Sequence, residues 1–276
     1  LGTGLVVNNS TLTFNRSDDF TLDKSISGSG TLYVLGSRVV TLANTSALGN
    51  GIANIGADVN STLTLDLNGY SLTNTQLKLN GAGYNGQGVL VNNSATAVAL
   101  PSTVAVNLVT NSTIGGTGDL SIAGIVSGSM LTKIGVHTLY LSGNNSYTGG
   151  TVINNGVLKK GHKYATGSLV TNVLTIDGGT LDINGFEVTQ SDGANNHTET
   201  LTGSGYNNLG ALINSKNDGA TPVYWVKLAI GGTGFSLGGA GNISFKPYSV
   251  TNATGKTIGK LGSGTASIEF TNNYNY

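Results

Sequence analysis

Residues 64–73 read TLDLNGYSLT, and residues 180–189 read TLDINGFEVT. The two stretches agree at nearly every position, although Asp66 and Asp182 stand 116 residues apart in the chain. Apolar and polar residues alternate in both, and each run reaches Asn-Gly. A period of two places successive side chains on opposite faces of an extended strand. Each stretch therefore predicts a short strand that ends at a turn.

The same alternation occurs elsewhere, for example in TLYLSG at residues 138–143 and LTIDGG at residues 174–179. These runs are short and stop at Gly or Asn. No segment of about 11 or more residues has convincing apolar spacing of i, i+3, i+4 and i+7. The pattern predicts an all-β protein with few helices.

A second repeated pattern, K-x-G-x-x-T followed by N-x-Y, occurs at residues 133–147 and again 127 residues later, at 260–274. We identify degenerate repeats at residues 24–43 and 258–276. Repeats of short strands without helices are typical of a solenoid, in which each coil stacks on the next. We therefore expect residues 1–276 to form a single β-solenoid domain.

A coil of about 20 to 25 residues would give about a dozen coils and a rod near 55 Å long, because stacked strands lie about 4.8 Å apart. Inward Leu, Ile and Val would form a continuous core without buried charge. Glycine is expected at the corners, where positive φ angles are needed. Asn at the corners is expected to stack into hydrogen-bonded ladders.

The composition restricts the classes of function. The 276 residues include 43 Gly but no Cys, only 9% are charged, and the formal net charge is zero. A disulfide framework, thiolate chemistry and cysteine-ligated metal are therefore excluded. A neutral chain also lacks the basic surface of a nucleic-acid-binding protein, and no apolar run approaches the length of a membrane span.

Residues 131–158 read LTKIGVHTLYLSGNNSYTGGTVINNGVL and resemble an autotransporter-associated β-strand repeat. In that family a Lys-x-Gly-x-Gly-Thr-Leu-x-Leu strand leads into Asn-x-Tyr-Thr-Gly-Gly-Thr and then a Gly-x-Leu strand. His137 replaces a glycine of the pattern, which we place at a corner. Residues 11–20 and 181–186 also resemble segments that flank such repeats.

The resemblance implies the passenger region of a bacterial type V secreted protein, which is usually a right-handed parallel β-helix at the cell surface or released from it. The expected function is that of a non-catalytic structural or adhesive protein, secreted or on the surface of a bacterium. Expected contacts are with glycans or a host surface, without insertion of this region into a membrane. Because the chain starts at Leu1, either a segment has been removed or the chain is a piece of a longer protein.

The competing function is a polysaccharide-degrading β-helix enzyme, and the carboxylates are its first candidates. Asp66 and Asp182 are expected to face outward, about five coils or 24 Å apart, too far for one glycosidase pair. Asp18 and Asp19 are neighbours that should point in opposite directions. We expect these Asp residues to form turns.

The basic cluster at residues 159–163, KKGHK, has no acidic residue within ten positions and is interpreted as a solvated corner with weak attraction for anionic glycans. A lyase would need such a base beside carboxylates that bind Ca²⁺. The glycine-rich segment at 178–182 is not repeated in tandem, as nonapeptide calcium repeats would require.

The other candidates are also better explained by structure than by chemistry. His137, His162 and His197 are scattered without paired metal spacing. The GSG triplets at 28–30 and 262–264 are expected at corners, and GGTG at 231–234 and GGAG at 238–241 lack the residues that phosphate binding requires. Three aromatic residues could contact sugars, although cross-strand packing is expected instead: Tyr140, Tyr224 and Trp225. The sequence thus predicts no catalytic, cofactor-binding or metal-binding residue, and no cofactor.

The two ends of a coil stack suggest an alternative function. The tail at 271–274 resembles the first half of a repeat, and the opening at 1–7 resembles the strand that would follow one. End-to-end self-association through these strands would propagate as a head-to-tail filament.

Overall fold

The chain folds into a stack of parallel coils. The computed structural model describes residues 4–57, 62–169, 173–192 and 197–270. All strand pairings within these ranges are parallel. Together they make a β-solenoid of about 11 turns, which confirms the all-β, parallel fold.

The strands of successive coils line up in three sheets. Sheet 1 contains β2 (Thr11–Arg16), β5 (Thr31–Gly36), β7 (Ile52–Ile55), β9 (Gln76–Leu79), β12 (Ala105–Leu108) and β15 (Val126–Gly128). Sheet 2 contains β3 (Phe20–Leu22), β6 (Val39–Leu42), β8 (Thr64–Asp66), β10 (Leu90–Asn92), β13 (Ser112–Gly116), β16 (Leu131–Lys133), β18 (Thr151–Ile153), β20 (Val173–Asp177) and β22 (Thr198–Gly203). Sheet 3 contains β11 (Val98–Leu100), β14 (Leu120–Ile122), β17 (Thr138–Leu141), β19 (Val157–Lys160), β21 (Thr180–Asp182) and β23 (Leu212–Ile213).

The remaining strands continue the stack at either end. They are β1 (Val6–Val7) with its partner β4 (Ile26–Ser27), and β24 (Val223–Gly238), β25 (Ile243–Thr251), β26 (Thr257–Lys260) and β27 (Ala266–Ile268). The long strand β24 pairs with both β22 and β23. The described helices are single 3₁₀ turns at Tyr84–Gly86, Gln190–Asp192 and Tyr206–Asn208, so the expectation of few helices holds for this part of the chain.

Aliphatic ladders run through the interior, as the alternation predicts. In sheet 3 one ladder joins Leu120, Leu139, Leu158, Leu181 and Leu212, and all five side chains are buried. Because the period is two, the intervening residues of the same strands point outward. Shortening one such leucine to alanine typically costs about 2–5 kcal/mol of stability.

The two TLD motifs, at residues 64–66 and 180–182, precede similar turns on two different sheets. β8 lies in sheet 2, whereas β21 lies in sheet 3. In both copies the turn that follows is Asn-Gly with positive φ at both residues, 48° and 84° at Asn68 and Gly69 in the first. Such φ angles suit Asn and Gly, which explains why the repeat preserves this dipeptide.

The structural similarity between the two copies extends beyond the matching residues 64–73 and 180–189. Residues 81–92 and 203–214 each contain a 3₁₀ turn that hydrogen-bonds to the preceding TLD strand. The backbone N–H of Tyr84 donates to Thr64 Oγ1 over 2.9 Å, and that of Tyr206 donates to Thr180 Oγ1 over the same distance. The repeated unit is therefore larger than one strand and its turn.

Asparagine amides join neighbouring coils, but not as the predicted Asn ladders. Asn68 Nδ2 donates to the carbonyl of Leu42 over 3.1 Å, and Asn145 Nδ2 donates to that of Ala165 over 2.8 Å. The amides satisfy backbone groups that a corner leaves without a strand partner.

Candidate functional site: the outer faces and a buried polar cluster

The repeated aspartates have the outward phase that the alternation predicts, because each follows an inward leucine, but they are buried and support the corners. Asp66 is 8% exposed and Asp182 is 2% exposed. Oδ1 of Asp182 accepts hydrogen bonds from the backbone N–H groups of Asn184 (2.9 Å) and Ser215 (3.0 Å). Asp66 makes the matching contacts with Asn68 and Asn93. The predicted turn-forming role is confirmed.

The geometry does not bring these carboxylates together as a catalytic pair. Five parallel pairings separate β8 from β20, and β21 follows β20 in the same coil. Asp18 and Asp19 also diverge: Asp18 binds Arg16, whereas Asp19 Oδ1 accepts the backbone N–H of Val39 over 3.0 Å. Both expectations about separation are confirmed.

The basic cluster at 159–163 is not a solvated corner. Lys160 is completely buried, because it follows Leu158 by two residues and so shares its inward phase. Lys159 Nζ lies 3.5 Å from Asp182 Oδ2, and Lys163 forms an ion pair with Asp192. The acidic partners come from later coils, which sequence distance alone cannot reveal.

Lys160 of β19 belongs to a buried polar cluster with His197, Glu199 of β22 and Tyr224 of β24. Glu199 Oε1 accepts a hydrogen bond from the Tyr224 hydroxyl over 2.7 Å and lies 2.9 Å from His197 Nε2. Lys160 Nζ lies 5.9 Å from the centre of the Tyr224 ring, a cation–π distance. All four side chains are at most 1% exposed, so the expectation of a core without buried charge is wrong.

Burial controls the proton affinities in this buried polar cluster. It lowers the pKa of Lys160 to about 8, while the nearby Glu199 acts in the opposite direction. Burial and Glu199 together raise the pKa of Tyr224 well above its usual value. Lys160 Nζ and Glu199 Oε2 have no hydrogen-bond partner within the described chain. The cluster holds groups that catalysis uses elsewhere, but its four side chains are buried, whereas substrate sites are usually open clefts or pockets.

The consensus lysine of the repeat also has a structural role. Lys133 Nζ donates to the carbonyls of Ile134 (2.8 Å), Gly135 (2.9 Å) and Asn155 (3.1 Å). Lys260 makes the first two contacts again, with Leu261 and Gly262. The K-x-G pattern therefore closes a corner, and burial lowers the pKa of Lys133 to about 7.

The three histidines remain apart from one another, and none has an open metal site. His137 is 2% exposed and contacts the Gly116 carbonyl through Nδ1 at 3.1 Å. Burial lowers its pKa to about 4, so the ring is neutral at physiological pH. Within the described ranges, no group of three His, Asp or Glu residues is arranged to hold a metal ion.

The glycine-rich segments form corners, as expected for the GSG triplets: φ is 88° at Gly28 and 76° at Gly262. The aromatic residues mainly pack. Tyr224 stacks on Phe245 with ring centres 6.4 Å apart, and Trp225 stacks on Tyr248 at 5.6 Å. Tyr140 differs, because it points outward from sheet 3 and remains half-buried.

Polar and aromatic side chains of successive coils lie next to each other on the outer face of sheet 3. Ala99, Ser121, Tyr140 and Lys159 occupy partner positions on β11, β14, β17 and β19, one per coil. The first three border a shallow depression of about 190 Å³ that also includes Asp119 and Thr138. No helix in the described part of the chain is long and apolar enough to cross a membrane.

The comparisons with known proteins agree with this architecture. The model of the passenger-associated-transport-repeat family matches residues 131–159. This segment is similar to a passenger repeat. The match confirms the resemblance inferred for residues 131–158.

A second similarity covers more of the chain. The chain is 37% identical over 110 residues to the adhesin BmaC autotransporter of Brucella suis biovar 1 (strain 1330). The aligned part is 38% of this chain but only 3% of BmaC. No solved structure matches the chain. The similarity supports the predicted bacterial cell-surface or secreted location.

The predicted end-to-end association stays a prediction. Its terminal segments include residues 1–3 and 271–276, and the C-terminal half of the degenerate repeat at 258–276 includes the same tail. These residues lie outside the described ranges. Negative-stain imaging of dilute protein tests the idea, since uniform monomers in every salt condition would contradict it.

Proposed function

We propose that this protein is a non-catalytic, adhesive, passenger-like solenoid that contacts other surfaces through its outward-facing side chains. The similarity to an autotransporter adhesin is the observation that carries the proposal. The inside-outside division of the solenoid supports it: aliphatic ladders fill the interior, and short polar side chains cover much of the outside.

The enclosed chemistry is the argument against an enzyme. Three carboxylates are buried and accept hydrogen bonds from neighbouring residues: Asp66, Asp182 and Glu199. A glycosidase needs two carboxyl groups about 5 to 10 Å apart on either side of an accessible sugar bond. The buried carboxylates serve turns and the core instead.

Adhesion is tested with beads that carry the purified chain at known density. We expect the beads to bind cultured animal epithelial cells severalfold more than beads with an equal load of albumin. Soluble chain in excess should compete with binding. Equal binding by both kinds of bead, or no competition, would contradict the proposal.

The enzymatic alternative is tested on a panel of polysaccharides with and without Ca²⁺. We expect no release of reducing ends or unsaturated sugars above the buffer control. Turnover by the wild type that disappears in Asp119→Asn or Glu199→Gln would show catalysis and overturn the non-catalytic assignment. Circular dichroism of each variant checks that the fold is intact.

A further inference from the structure

We infer that the depression on the outer face of sheet 3 is a binding site for a single residue of a neutral saccharide. The inference rests on the proposed adhesive function and adds a ligand class to it. Ala99, Ser121 and Tyr140 border the depression from three successive coils. Two small side chains beside a tyrosine leave a hollow of about 190 Å³.

The strand register makes this hollow a built feature of the fold. The residues on either side of these three are buried in the core, for example Leu120 and Ile122 around Ser121. Their anchoring holds the outward side chains at one coil spacing, about 4.8 Å, from each other. Rigid strands position ligand-binding groups more precisely than loops do.

A glycine in the next coil positions the tyrosine ring. A Cβ atom at Gly161 would lie 2.5 Å from both Cζ and the hydroxyl oxygen of Tyr140. The same atom would lie 2.6 Å from Cβ of Ser142, so glycine leaves room for both neighbours. The φ angle of Gly161 is not positive, so the backbone itself does not require glycine here. The residue provides space for Tyr140.

Free polar groups border the hollow. The hydroxyls of Ser121 and Thr138 make no hydrogen bond to any described residue, whereas the hydroxyl of Tyr140 lies against Gly161 in the next coil. Asp119 Oδ1 accepts the backbone N–H of Thr138 over 2.8 Å, which fixes the carboxylate at the rim. Its exposed carboxylate retains the capacity to accept further bonds.

This combination matches the chemistry of a sugar. An aromatic ring and methyl groups fit the C–H surface of a sugar ring, and hydroxyl and carboxylate groups fit its hydroxyl edge. Asp119 is the one charged residue that borders the hollow. Its negative charge disfavours sialic and uronic acids, so the ligand class is neutral.

The size of the hollow predicts weak binding. It is smaller than the roughly 300–1,000 Å³ of pockets that enclose drug-sized ligands. A Kd of about 1 mM is the expected scale for so small a contact. Many copies on one surface would raise the overall strength of attachment through multivalency.

Saturation-transfer NMR on the full chain tests the site. The probes are methyl glycosides of glucose, galactose, mannose and N-acetylglucosamine, with sialyllactose and methyl glucuronide as anionic comparisons. We expect transfer to at least one neutral glycoside and none to the anionic ones. Absence of transfer to every neutral glycoside, or transfer only to an anionic probe, would overturn the inference.

Variants locate the binding. Tyr140→Ala and Gly161→Ala should each lower the transfer at least fivefold, the first by removing the ring and the second by displacing it. Tyr33→Ala is the matched control, since Tyr33 is a half-buried outward tyrosine on β5 of sheet 1. An equal loss in Tyr33→Ala, or no loss in a folded Tyr140→Ala, would overturn the assignment to this hollow.

The experiments can contradict the saccharide site and the adhesive function independently of each other. Beads that bind cells while no neutral glycoside shows transfer would overturn the site and leave adhesion standing. Transfer lost in Tyr140→Ala without any bead adhesion would overturn the adhesive function and leave a saccharide site in place.

Discussion

Replacing Lys160 by methionine should change how stability depends on pH. Lys160 is completely buried, and burial lowers its pKa from 10.5 to about 8. Each unit of difference corresponds to about 1.4 kcal/mol between the protonation states, so the charged amine costs the fold about 3 kcal/mol at neutral pH. Methionine has a similar shape without the charge.

The direction follows from proton linkage. The folded protein loses the Lys160 proton near pH 8, whereas the unfolded chain keeps it until about pH 10.5. Between these values the unfolded state binds more protons, so the free energy of unfolding rises with pH. The unfolding free energy of the wild type minus that of Lys160→Met should increase by about 2 kcal/mol from pH 7.5 to 10.

Neighbouring groups set the upper limit of this window. The pKa of Tyr224 is raised, so above about pH 10 the unfolded chain loses tyrosine protons first and stability falls again. Glu199, His197 and Tyr224 are present in both proteins, which makes the difference between variants more informative than either curve alone.

The assay is urea unfolding at several pH values, followed by the fluorescence of the single tryptophan, Trp225. Trp225 lies directly beside Tyr224 in β24, so its emission reports the coils that hold the buried polar cluster. Lys159→Met is the matched control, because the Lys159 side chain is about one-third exposed and its ammonium is paired with Asp182. A wild-type minus Lys160→Met difference that stays constant with pH, or an equal change for Lys159→Met, would refute burial of the Lys160 amine.

Three further changes test the corners and the core. Asp182→Ala should destabilise the protein by about 2–4 kcal/mol in urea unfolding, because two backbone donors lose a charged acceptor. Asp177 is exposed, so Asp177→Ala should change stability by less than about 0.5 kcal/mol, and equal effects of the two variants would contradict the corner role. Gly81→Ala should cost about 1 kcal/mol of stability, from the positive φ angle alone. Gly83→Ala should cost several times more, because its Cβ atom would lie 2.0 Å from the Gly88 carbonyl oxygen. Similar thermal unfolding of the two variants would argue against that close packing. Tyr147→Phe should cost about 1–2 kcal/mol, because its hydroxyl lies 2.8 Å from Thr151 Oγ1 inside the core, and an unchanged urea midpoint would exclude this bond.

The sequence predicted the architecture well because the solenoid is built from a local pattern. The alternation at residues 64–67 and 138–141 predicts which side chains face inward, and this prediction does not depend on the other coils. The turns at Asn68-Gly69 and Asn184-Gly185 were equally readable, since few other residues adopt positive φ.

The environment of the charged residues was harder to predict, because it depends on coils that are distant in sequence. Lys160 meets Glu199 and Tyr224 only after three coils have stacked. The phase of the alternation did contain a clue: Glu199 precedes Leu201 by two residues and Lys160 follows Leu158 by two, so each shares the inward face of a leucine. Charge alone therefore does not predict that a side chain of this solenoid is exposed.

The proposed saccharide site could not be predicted from the sequence, for a similar reason. Ser121 and Tyr140 are 19 residues apart, and neither stands out from other alternating residues. Their adjacency depends on the exact register of β14 and β17. The space that Gly161 leaves for the tyrosine ring becomes visible only when the next coil is in place.

Thiol labelling tests the inside-outside division most directly, because the chain has no cysteine and each introduced one is unique. Single cysteines at Leu139, Tyr140, Lys159 and Lys160 would be treated with a water-soluble maleimide under native conditions. The account predicts rapid labelling at Tyr140→Cys and Lys159→Cys, and labelling of Leu139→Cys and Lys160→Cys only after denaturation. Equal native labelling at Lys159→Cys and Lys160→Cys would contradict a solenoid whose alternate side chains are enclosed.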